Sequence, residues 1–98
     1  MGISIKNTSF TISAATATPL VSENLNRKHL CIVVNGTNPA TIKFGSAPTS
    51  VTDGISLDGA SGSGGQGGSV WYGEQDAPTD SIFAWSTAGT TVTVASGT

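Results

Sequence analysis

Breaks made of Gly, Asn-Pro and Asp-Gly cut this chain about every eight to twelve residues, and runs rich in Thr, Val and Ile lie between them. Nowhere do apolar residues recur at i, i+3, i+4 and i+7 over three turns. A helix needs such a stripe to bury one side, so the pattern predicts an all-β fold. The expected architecture is a single antiparallel β-sandwich of about seven or eight short strands spanning residues 1–98. An extended N-terminal segment (1–9) and a flexible Gly/Ser loop (59–69) complete the expectation.

Alternation locates the strands. Phe10 and Ile12 alternate with Thr11 and Ser13, as in a half-buried first strand. Pro19 restricts the segment from Ala17 to Ser22 to an edge strand or an extended segment, because it cannot donate to a ladder. In Lys28–Val34, Leu30, Ile32 and Val34 face one way and Cys31 and Val33 the other, so both faces are apolar and a central strand is predicted. Asn35 to Pro39 reads as a turn, with Gly36 free to take positive φ, and Thr41–Phe44 as the return strand of a hairpin. Ile42, Phe44, Ile55 and Leu57 are expected inward, Lys43 outward. Val70-Trp71-Tyr72 is a further strand. Ser81–Ser86 and Thr91–Ala95 read as a closing hairpin around Ala88-Gly89.

The chain has 98 residues, which is one domain. A single cysteine excludes an internal disulfide. A domain this small buries only about 60–65% of its unfolded surface and is marginal alone. Charged residues make up 10% of the chain and the net charge is -2, while 13 Ser and 14 Thr carry the polar surface. So few Lys and Arg argue against a nucleic-acid partner. A weakly charged surface repels its neighbours weakly, which suits a protein that lives packed against others. The N-terminus lacks the basic start and apolar stretch of a signal peptide, and the longest apolar run, Leu30–Val34, cannot span a membrane. The expectation is synthesis in a cytoplasm and no membrane partner.

Chemistry-bearing constellations are sparse. His29 and Cys31 share a strand face, which permits a nucleophile–base pair, but no orienting group accompanies them. Cys31 lies in an apolar run, where a free cysteine commonly fills core space. Gly62 to Gly67 matches G-x-G-x-x-G by letters, yet a strand-like segment follows it where a dinucleotide site requires a helix. Glu74, Asp76 and Asp80 lack calcium-loop spacing, and one Cys with one His does not make a zinc site. No enzymatic activity, cofactor or metal is expected.

The aromatic residues leave more open. Trp71 and Tyr72 are expected to point to opposite faces, as are Phe83 and Trp85, so at least one of each pair faces away from its own core. Such aromatics serve subunit interfaces, sugar-stacking platforms or the domain's own core. Ile3 and Ile5 belong either to an arm that adds to a partner as an edge strand or to the domain's own first strand. Ile3, Ile5, Phe10, Trp71, Tyr72 and Trp85 are therefore the candidate partner-facing residues.

The order of the pieces from Asn26 to Val94 resembles a small β-domain of virion proteins from tailed bacteriophages. The resemblance rests on Asn26-Arg27 leading into an apolar strand that ends at Asn35, then Ile42-Lys43-Phe44-Gly45, Gly54-Ile55-Ser56-Leu57, and a terminal segment Ile82 to Val94 around Gly89. Here the connection after Leu57 is longer than usual and lacks the customary Pro. The resemblance implies a structural role at the capsid surface, as a decoration or cement protein bound to the major capsid protein. It also implies self-association, with trimers favoured. A receptor- or glycan-binding module of a tail or fibre is the alternative it leaves.

Overall fold

A computed structural model describes residues 5–60, 66–73 and 76–98. It is all-β, with eight strands: β1 (Ile5–Ile12), β2 (Thr18–Val21), β3 (His29–Val34), β4 (Ala40–Phe44), β5 (Ile55–Leu57), β6 (Ser69–Tyr72), β7 (Ile82–Trp85) and β8 (Thr90–Gly97). They form two four-stranded sheets, ordered β1-β8-β3-β6 (sheet one) and β2-β7-β4-β5 (sheet two), and all strand pairs are antiparallel. The alternation seen in the sequence becomes the sandwich core. Sheet one contributes Ile12, Leu30, Ile32, Val34, Val92 and Val94, and sheet two contributes Leu20, Ala40, Ile42, Leu57, Ile82 and Ala84. Truncating a buried Ile or Leu of this set to Ala should cost about 2–5 kcal/mol.

Pro19 does stand in an edge strand, where the pairing of β2 with β7 also shifts register between Pro19 and Val21. β3 is central, flanked by β8 and β6.

Both expected hairpins are corrected. β3 and β4 lie in different sheets, and so do β7 and β8. Their connections are arches that carry the chain across the core. Each strand of such a pair buries alternate residues whether it folds back beside its neighbour or opposite it, so alternation does not tell the two apart. Hydrogen bonds between the two arches favour crossing. The amides of Asn35 and Gly36 both donate to the carbonyl of Thr91, at 2.8 and 3.1 Å. Asn38 Nδ2 donates to the carbonyl of Gly89, and Ser86 Oγ to the carbonyl of Pro39, each at 2.8 Å. Gly36 does not use its freedom to take positive φ. It is needed because a Cβ there would stand 2.2 Å from Thr90 Oγ1 and 2.7 Å from the amide nitrogen of Thr91.

The Gly/Ser loop is tied at both ends. The amide of Ala60 donates to the carbonyl of Gly36 and that of Gly67 to the carbonyl of Val34, at 2.7 and 2.8 Å, and Ala60 is buried. Residues 61–65, which include most of the G-x-G-x-x-G match, lie outside the described residues. Ile55 lies opposite Ile42 on the inner face, as expected, but remains exposed because β5 is a three-residue strand at the edge of its sheet. Leu57 is buried as expected.

Candidate interaction surface

The register assigns every side chain of sheet one to a face. Pairings of Ile32 with Val94 and Val70, and of Phe10 with Val92, set the inner rows. The alternate residues form the outer face. One outer row runs Asn7, Ala95, Cys31, Trp71 across the four strands, and the next runs Ser9, Thr93, Val33, Ser69. Ala95, Cys31 and Val33 are half-buried by their neighbours, and Trp71 is 68% exposed. Beside this apolar patch lies a polar ladder. Ser9 Oγ and Thr93 Oγ1 are 3.1 Å apart, and Thr93 Oγ1 donates to Asn35 Oδ1. No outward position of β1, β8, β3 or β6 carries Asp, Glu, Lys or Arg.

The outer face of sheet two differs, because the chain covers part of it. The segment after β4 folds back so that Thr41, an outward residue, is fully buried and donates from Oγ1 to the carbonyl of Val51 at 2.8 Å. Lys43 Nζ is 2.8 Å from Asp53 Oδ1, and the amide and hydroxyl of Thr49 donate to Asp53 Oδ2 at 3.0 and 3.1 Å. The Lys43 ammonium first, and then the Thr49 amide, hold the Asp53 carboxyl below its ordinary range.

These faces separate the candidate residues. Trp71 and Ile5 lie on the outer face of sheet one, but on opposite edge strands, about 14 Å apart by strand spacing. Tyr72 points inward, its ring 6.1 Å from that of Phe44 and inclined at 75°. Phe10 is also inward, half-buried against the core. Trp85 lies on the outer face of sheet two. Phe83 shares that face with it, since residues two apart in a strand point the same way, which corrects the expectation of opposite faces. Trp71, Tyr72 and Trp85 therefore form no common sugar-stacking platform. Ile3 lies outside the described residues, and of the two alternatives for residues 5–9, an arm or the domain's own first strand, the structure has the strand, β1.

Cys31, Val33 and Ala95 are the surface residues that sequence reasoning missed. A free cysteine in an apolar run is expected to fill core space, and apolar residues on both faces of β3 predict a central strand. Only one face meets the second sheet. His29 and Cys31 do share the outer face. Among the described residues, no three His, Cys, Asp or Glu side chains gather as a metal site would require.

At one end of the sandwich an open cleft of about 240 Å³ is lined by Lys6, Asn24, Arg27, Ser96, Gly97 and Thr98. Arg27 is 5% exposed. Its Nη1 donates to the carbonyls of Pro78 and Asp80 at 2.7 and 3.0 Å, and its Nη2 to that of Ser22 at 2.7 Å. Burial lowers its pKa from the ordinary arginine value, and the Asp80 charge opposes that shift. These contacts make it a structural tie between two loops.

No family model and no curated protein matches the chain. Among solved structures, the chain is similar to one from Bacillus described by the words "Bacillus endospore appendages form a novel family of disulfide-linked pili". The identity is 20% and the TM-score 0.45, over 100% of this chain and 91% of that one.

Proposed function

We propose that this chain is a non-enzymatic structural protein of a tailed-phage virion, which binds the outside of the capsid as a decoration or cement protein. In this reading it is made in the host cytoplasm and docks on the major capsid protein through the outer face of sheet one. One observation carries the docking surface. That face is free of Asp, Glu, Lys and Arg and presents Trp71 beside Cys31, Ala95 and Val33. Interface centres are depleted in charge and enriched in Trp, so the face has the composition of a protein contact. The order of motifs from Asn26 to Val94 supports the choice of a capsid as the partner.

Binding to capsids stripped of the protein tests the reading. Trp71→Ala should weaken binding by about 2 kcal/mol or more, some thirtyfold, because an aromatic at an interface centre dominates affinity. The folded protein's melting temperature should hardly change, since Trp71 is mostly exposed. Cementing further requires that the protein prefer the assembled shell to free subunits. Loaded particles should then come apart at a higher temperature than stripped ones. Unaltered binding by the Trp71 variant would remove this face from the interface.

A further inference from the structure

Each sheet of a sandwich ends in two edge strands, and an edge with free backbone groups pairs with another strand unless something prevents it. Three of the four edges are short or interrupted. β2 contains Pro19 and a register shift. β5 is three residues long, and the segment preceding it supplies the Val51 carbonyl to Ser56 Oγ at 2.9 Å. β6 is four residues long and stops at Gly73, whose amide is taken by Asp76 Oδ1 at 2.9 Å. β1 has no proline, register shift or short length, and its one protective feature is the inward-pointing charge of Lys6. It runs for eight residues in unbroken register with β8. Its opposite side faces no strand among the described residues.

We infer that the free edge of β1 pairs antiparallel with β1 of a second copy about a twofold axis, joining the two outer faces into one eight-stranded sheet. A twofold axis normal to the sheet keeps outer residues opposite outer residues. With the axis at Thr8, Asn7 stands opposite the partner's Ser9 and Ile5 opposite the partner's Thr11, both pairs on the outer face. On the inner face, Lys6 stands opposite the partner's Phe10, twice by symmetry.

That register suits both side chains. Lys6 is exposed and has no ion pair among the described residues, and Phe10 is only half-buried. A lysine stem covers apolar surface while its ammonium meets the ring, so each gains a neighbour its own chain does not supply. The two Lys6 side chains remain four strand positions out of alignment and do not repel at contact distance. An axis at Ser9 would instead set Lys6 against Ile12, which is already buried.

This pairing is independent of the capsid reading, because it is measured on the free full-length chain. It also differs from the trimers that the phage resemblance implies. Sedimentation equilibrium should show a reversible dimer. Asn7→Lys combined with Ser9→Lys places lysines opposite lysines and should weaken that dimer by roughly tenfold or more. Asn7→Glu with Ser9→Glu should do the same. A one-to-one mixture of the two variants should restore a dimer, which a general loss of structure would not allow. Melting curves of both variants should stay close to the parent, since Asn7 and Ser9 are exposed. A parent chain that stays monomeric at all accessible concentrations overturns the inference. So does a threefold mass, or a dimer indifferent to the lysines.

Discussion

Thr90 begins β8 directly beneath the Gly36 arch, and its Oγ1 is buried with no hydrogen-bond partner. An unpaired buried hydroxyl retains its desolvation cost, and valine has nearly the same shape without it. Thr90→Val should therefore raise stability by about 1 kcal/mol, or some 4–8 °C in melting temperature for a domain of this size. Arg27 is the converse case, because its three carbonyl partners lose their donor together on truncation. Arg27→Ala should cost about 3 kcal/mol by denaturant unfolding. Arg27→Lys should rescue only part of that, because a single ammonium cannot reproduce the guanidinium fork. Asp53 has a lowered carboxyl pKa. Its contribution is thus present above the ordinary carboxylate range and is lost only as pH falls through the lowered folded value. An NMR titration of the Asp53 carboxyl should show Lys43→Met moving its midpoint upward, with Thr49 amide shifts following the same curve.

At the scale of the elements, every connection except that between β4 and β5 passes from one sheet to the other. Strands adjacent in sequence therefore seldom pair, and the ladders join distant segments, such as β1 with β8. The arches must consequently be correct for the sheets to meet at all. Gly36→Ala tests the first of the arches, since its Cβ would collide with backbone as well as with the Thr90 side chain. A loss of about 2–4 kcal/mol is expected, from strain where the arch cannot move away. The connection from β1 to β2 turns at Ala15, which has φ 51° and whose amide donates to the carbonyl of Ser86 at 2.7 Å. A side chain in that region costs about 1 kcal/mol or more, so Ala15→Gly should not destabilise the protein as glycine does in ordinary strand positions.

For the molecule as a whole, the two sheets are unequal. A returning segment covers part of sheet two's outer face, whereas the outer face of sheet one is left to Thr, Ser and a short apolar patch. The low charge content of the chain is concentrated in its effect, because that face carries no acidic or basic residue other than His29. The proposed docking face and the proposed pairing edge both belong to sheet one. A lattice-bound pair would present two Trp71 side chains on one continuous surface, so Trp71→Ala and the Asn7/Ser9 lysine variants should act additively on capsid binding only if pairing persists there.

Much of this was readable from residue order. Alternation in Leu30–Val34, Ile42 and Val92–Val94 determined the strands and their inward faces, since each apolar side chain must leave water at every second position. Pro19 determined an edge, because it lacks a donor. Pairing partners were not readable: the same alternation satisfies a hairpin or an arch, and only contacts between Asn35, Gly36, Asn38 and Gly89 from distant parts of the chain decide between them. The burial of Arg27 and the exposure of Cys31, Val33 and Ala95 were likewise decided by the tertiary structure. Whether a strand's second face is covered depends on what the rest of the chain places over it, and on sheet one nothing among the described residues does.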